Sequence, residues 1–147
     1  MSETQDSPDR KDLSPTEWKV MKIVWDLQKG VSREIYTVAG EENGWSVATV
    51  KTLLKRLVDK GYLSTTKIGN GFVYRPAQTA ITVLRQAANT LLENTTRAAT
   101  GPLLAHMVES SPLEAKELDA LQKLIDEKKK SLARQSAKDK SRAHKSR

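Results

Sequence analysis

The sequence predicts a mainly α-helical chain in two parts, and three observations carry that prediction. Apolar residues recur at helical spacing in several separate stretches. Two of those stretches are introduced by serine-led capping boxes. A glycine-centred turn, Gly69-Asn70-Gly71, separates two strand-like runs. The expected order is three helices, a β-hairpin and three further helices.

The first helix should open at LSPTEW, where Ser14 is a good N-cap, Pro15 suits the first helical position and Glu17 completes the capping box. Trp18, Met21, Val24 and Trp25 follow on one face, and the helix should end near Gly30. A shorter helix is expected after Ser32, with Ile35, Val38 and Ala39 inward, until GEENG breaks it. The third helix, within WSVATVKTLLKRLVDKG, is capped by Ser46 and stopped by Gly61. At about 100° per residue, Val47, Val50, Leu53, Leu54, Leu57 and Val58 share one apolar arc. Leu63 to Ile68 and Phe72 to Arg75 then read as the strands of a hairpin ended by Pro76.

From residue 79 the period is helical again, with Ile81, Leu84, Ala88, Leu91 and Leu92 on one stripe to about Thr96. A short segment after Gly101-Pro102 carries Leu103, Leu104, Met107 and Val108. The last helix should open with a capping box from Ser111 to Glu114 and bury Leu118, Leu121, Leu124 and Ile125. Residues 131–147 have almost no apolar content and are expected to be disordered, as are residues 1–11.

Three helices and a Gly-turned hairpin form the order of a winged helix-turn-helix, assigned to residues 12–77. Residues 78–130 form a helical unit too small to bury a core alone. Its apolar stripes would be satisfied by a second copy, which makes Leu84, Leu91, Leu104, Met107, Leu118, Leu121 and Ile125 the expected homodimer contacts. The fold class is thus a winged helix-turn-helix N-terminal domain with a β-hairpin wing, plus a C-terminal three-helix dimerisation domain.

Composition narrows the function. The chain has 147 residues and no cysteine, so disulfides, thiolate metal sites and cysteine nucleophiles are excluded. His106 and His144 lack metal-ligand spacing, and neither a signal peptide nor a membrane-length apolar run is visible, so a cytoplasmic protein without membrane insertion is expected. The net charge of +7 is unevenly placed. Residues 128–147 hold nine basic and one acidic side chain, whereas residues 13–127 hold fourteen basic and thirteen acidic. The basic tail either adds non-specific phosphate contacts or merely solubilises the chain.

In a helix-turn-helix the N-terminal part of the third helix enters the major groove. Here Ser46, Ala48, Thr49, Lys51, Thr52, Lys55 and Arg56 would face DNA. Ala48 and the threonine methyls suit thymine methyls, and the threonine hydroxyls suit base edges or phosphates. Lys67 near the hairpin turn and Arg75 in the returning strand would form a basic wing on the backbone. A solvated helix face is the plain alternative for the cations. Trp18 and Trp25 are expected in the core rather than as stacking residues, and Trp45 should staple the start of the third helix. No nucleophile–base pair or phosphate loop is present, so no enzyme and no cofactor are expected. RNA binding lacks an aromatic platform. The competing reading is a winged-helix protein-interaction module, which would need apolar residues on the outward face.

The run LSPTEWKVMKIVWDL…GWSVATVKTLLKRLVDKGYL…FVYRP, within residues 12 to 130, closely resembles the penicillinase-repressor family of bacterial transcription factors. The resemblance implies a homodimeric repressor on palindromic operators in double-stranded DNA, with Val47 to Lys60 as the operator-reading helix. Thr49, Lys51, Thr52 and Arg56 match the family pattern. Ala48 stands where the family usually has Lys or Arg, which bears on the operator bases read. The resemblance also suggests a membrane sensor-protease as a possible partner, cutting an Asn-Phe bond. The single phenylalanine, Phe72, follows Gly71, while Asn89 and Asn94 precede Thr90 and Thr95. The cysteine hook of copper-responsive members is excluded by the absence of cysteine.

Overall fold

The computed structural model describes residues 12–145. Helix α1 (Pro15–Leu27) is followed by a short strand β1 (Gly30–Val31), then α2 (Ser32–Asn43) and α3 (Val47–Asp59). Strands β2 (Leu63–Ile68) and β3 (Gly71–Pro76) form the hairpin, and α4 (Ala80–Asn94), α5 (Arg97–Ser110) and α6 (Ala115–Lys145) complete the chain. Two compact units meet in sequence between Glu93 and Asn94. The expected tail 1–11, with residues 146 and 147, lies outside the described residues.

In the first unit, α1 begins with the expected box. The Ser14 amide donates to Glu17 Oε1 at 2.8 Å, and the Glu17 amide donates to Ser14 Oγ at 3.2 Å. The helix ends at Leu27, before the expected Gly30, because Gln28 turns to φ 67 and its amide returns to the Trp25 carbonyl. Gly30 instead opens β1, a strand not legible in the sequence. It pairs antiparallel with β3, Gly30 opposite Tyr74 and Val31 opposite Val73, giving the sheet order β1-β3-β2. A side chain at Gly30 would meet Ile35 Cδ1 at 2.6 Å, and Ile35 is fully buried, so only glycine lets the strand approach α2. Helix α2 continues through Glu41 and Glu42, further than expected, to a left-handed Gly44.

The core of this unit joins Val20, Met21 and Val24 of α1, Ile35 and Ala39 of α2, and Val50, Leu53, Leu54 and Leu57 of α3. Trp18, Trp25, Trp45 and Val38 pack against it, half-buried. Val83 of α4 is buried in the same cluster, and Trp25 Nε1 donates to the Gln78 carbonyl at 3.1 Å. The first unit therefore extends through most of α4 rather than stopping at residue 77.

Glu17 also has a role beyond its cap. It is 1% exposed and forms a 2.6 Å ion pair with Lys60, whose Nζ also donates to the Asp12 carbonyl at 3.0 Å. Lys60 is the C-cap of α3. Beyond it Gly61, at φ 85, donates to the Val58 carbonyl and Tyr62 to the Leu57 carbonyl, the paired bonds of a Schellman ending.

The second unit differs from expectation in three places. Helix α5 begins at Arg97, so Pro102 lies inside it. The donor missing at Pro102 orphans only the carbonyl four residues earlier, near an exposed helix start where water can reach it. Ser111 does not cap α6. It closes α5 in an extended conformation before Pro112, and the Glu114 amide donates to Glu117 Oε1 at 3.0 Å instead. Finally, α6 runs to Lys145, so the stretch expected to be disordered is helical through 145. Lys, Arg, Gln and Ala are good helix formers, and low hydropathy does not remove that propensity. No described residue of α5 or α6 is buried, and Leu103 and Leu121 are half-buried.

Burial pushes the Glu17 carboxyl pKa up, but the Lys60 bond, the Ser14 bonds and the Lys60 charge outweigh it and hold the value below 4.5. Its stabilisation is therefore complete above pH 4.5 and fades as pH falls through the lowered folded-state value. Glu17→Ala should cost about 2–3 kcal/mol at neutral pH. Thermal melts from pH 7 to pH 3 should show a smaller acid-induced loss in the variant than in the parent. Equal acid loss in both would place the acid sensitivity elsewhere.

Candidate nucleic-acid interface

Helix α3 is built to be held on one side and bare on the other. Val50, Leu53, Leu54 and Leu57 are buried, which stabilises the helix by about 1.5–3 kcal/mol per side chain. Ser46, Ala48, Thr49, Lys51, Thr52, Lys55 and Arg56 are all exposed. Val47, expected inward, is 49% exposed. It occupies the first helical position, where the chain has not yet turned its apolar arc onto α1 and α2.

The hydroxyls on this face are already engaged. Ser46 Oγ accepts the Thr49 amide at 3.2 Å and lies 3.0 Å from Thr49 Oγ1. Thr52 Oγ1 donates to the Ala48 carbonyl at 3.1 Å. The proton of Thr52 is thus committed to its own helix, leaving a methyl and acceptor lone pairs to the outside. Ser46 serves first as the N-cap.

Two cations rest over aromatic rings. Lys51 Nζ lies 6.0 Å from the Tyr36 ring centroid, and Lys19 Nζ lies 6.0 Å from that of Trp45. Arg56 borders a depression of about 310 Å³ shared with Thr16, Trp45, Thr49, Thr52 and Leu53. Sequence reasoning missed Thr16, Lys19 and Val47 as parts of this surface. The first two come from α1, and only the crossing of α1 against α3 brings them there.

The hairpin separates the two wing cations. Lys67 pairs with Phe72 and Arg75 with Ser64. Because directly opposed residues share a face and neighbours alternate, Lys67 and Arg75 stand on opposite faces of the hairpin. They cannot both lie along one phosphate row through one face, as a single basic wing would require. His106 is exposed on α5, its ring 3.4 Å from Ser110 Oγ.

The family model described as Penicillinase repressor matches residues 13–127. The chain belongs to the penicillinase-repressor family. An uncharacterised 16.5 kDa protein of Latilactobacillus sakei is 32% identical over 117 residues, which cover 80% of each chain. The penicillinase repressor of Bacillus licheniformis is 26% identical over 80% of this chain and 91% of its own. A solution structure of the DNA-binding domain of the repressor BlaI aligns with TM-score 0.47 and 32% identity, covering 49% of this chain and 88% of that one. The penicillinase-repressor chain described here is a sequence-specific DNA-binding transcriptional repressor and not an enzyme. Among the described residues, no helix is long and apolar enough to cross a membrane.

Because Ser46 caps α3, Ser46→Ala should lower stability by about 1 kcal/mol. Urea denaturation of the repressor would register this as a lower midpoint at unchanged slope; an unchanged midpoint would mean that the cap contributes nothing.

Proposed function

We infer that the repressor works as a homodimer on a palindromic operator, with the N-terminal half of α3 in the major groove and the hairpin against the backbone. The observation that supports this best is the state of the α3 face. It is exposed on a helix fixed at both ends, carries three cations, and presents threonines whose hydroxyl bonds are made internally. Such a surface presents methyls to thymine and charge to phosphate at small desolvation cost. Lys51, Lys55 and Arg56 are the cations, Ala48, Thr49 and Thr52 the methyl contacts, and Lys67 or Arg75, on their separate faces, the wing contact. Exposed Val47 favours protein docking, and beside Ala48 it equally suits a thymine methyl.

Support for the homodimer comes from apolar side chains that one chain leaves in water. Leu84, Leu91, Leu104, Met107, Leu118 and Ile125 are 43–51% exposed, beside half-buried Leu121. Large apolar side chains left exposed at helical spacing on each of these helices mark an interface. A membrane sensor-protease, if it acts on this repressor, needs a bond other than Asn-Phe, since Asn89 and Asn94 lie within α4 and precede threonines.

A gel-shift titration on the repressor's own upstream DNA, against scrambled DNA at two salt concentrations, tests the reading. A selective shift with dimer stoichiometry that survives the higher salt is expected; equal, salt-abolished binding to both would reject it. Arg56→Ala should cost about 1–3 kcal/mol of operator affinity. Thr52→Val, which keeps the methyl and loses only a hydroxyl committed to Ala48, should change affinity far less. The reverse ranking would refute the methyl assignment. Leu121→Asp should yield monomers with much weaker binding, and a dimeric Leu121→Asp in sedimentation would move the interface elsewhere.

A further inference from the structure

The region matched by the family ends at residue 127, yet α6 continues to Lys145. This extension holds the chain's charge imbalance, with nine basic residues and one carboxylate over residues 128–147. Being helical through 145, it gives each side chain a face. Turning about 100° per residue, Leu118, Leu121, Ile125 and Leu132 fall on one stripe, and Leu132 carries the apolar seam into the extension. Lys130, Arg134 and Lys138 fall on the opposite side. Asp139 is on the apolar side, where it accepts from Gln135.

We propose that this basic stripe is a second DNA-contacting surface, binding the phosphate backbone without reading sequence. The inference rests on the homodimeric, DNA-binding reading above. In that dimer the seam through Leu132 is the face turned to the partner, which leaves the opposite row of cations to solvent. The rungs are spaced about 6 Å apart along the helix, close to twice the roughly 3.4 Å axial rise per phosphate of one strand. Once α3 holds the operator, the tethered stripe meets nearby phosphates at high effective concentration. Charge complementarity selects the partner: residues 13–127 are nearly balanced, with fourteen basic against thirteen acidic side chains, so the chain's excess positive charge sits on this extension.

The test compares two full-length triple variants that lose the same charge. One is Lys130→Gln/Arg134→Gln/Lys138→Gln, on the stripe. The other is Lys128→Gln/Lys129→Gln/Lys140→Gln, off the stripe. Glutamine is a good helix former, and circular dichroism checks that α6 remains helical. Affinity for scrambled and operator duplexes is measured across salt. The stripe variant should flatten the log-log salt slope by up to about 2.7 per protomer, at about 0.9 per lost phosphate contact, and the other variant by much less. Equal flattening in both would reduce the extension to a featureless charged segment and overturn the proposal. Unchanged slopes in both, or a stripe effect confined to phosphatidylserine vesicles, would overturn DNA as the partner. Operator-over-scrambled preference should persist in all forms; its absence from the parent protein would instead defeat the repressor reading.

Discussion

The Glu17–Lys60 pair joins the first turn of α1 to the last turn of α3, and the placement of the exposed helix face depends on it. The capping box fixes the Glu17 carboxylate at the helix start, and the Schellman ending of α3 fixes where Lys60 leaves the backbone. Each local motif would form in many proteins. Together they aim one charge at the other across 43 residues of sequence, at 2.6 Å. Around this pair, the apolar sides of α1, α2 and α3 meet without polar competition. The same arrangement brings Thr16 and Trp45 to the depression that borders Thr49, Thr52 and Arg56, so the contour of the exposed α3 face follows from packing behind it.

Much of this was legible in the sequence, for identifiable reasons. Helix α3 shows a clean period, a serine cap and a terminal glycine, and all three are local. The hairpin is legible because its turn lies within the strands it joins. Strand β1 is not, since Gly30 and Val31 become a strand only by pairing with Tyr74 and Val73, which the local sequence does not announce. The burial of Glu17 was hidden for the same reason. Its local role as a capping residue fully accounted for it, and nothing in the local sequence pairs it with Lys60. Periodicity also overreached at Val47, because a wheel assigns a direction without saying whether anything stands there to cover it.

The candidate interface divides in the same way. Residue types on α3 were readable, whereas the hydroxyl bonds of Thr49 and Thr52 and the opposed faces of Lys67 and Arg75 depend on geometry. The extension of α6 was misjudged for a different reason. Low hydropathy signals that a segment has no core to join, which is not the same as having no structure. A polar helix continuing from an apolar one satisfies its backbone internally and needs no core.

The apolar stripes left exposed in one chain have a dosage consequence. In the dimer inferred above, at protomer concentrations below the dimer's dissociation constant, dimer abundance follows the square of protomer concentration. Halving the repressor concentration, as one doubling of cell volume without new synthesis does, would then cut the operator-competent species by about fourfold. In that dimer, a half-built core would make control of the target genes steeper than a monomer of equal affinity could.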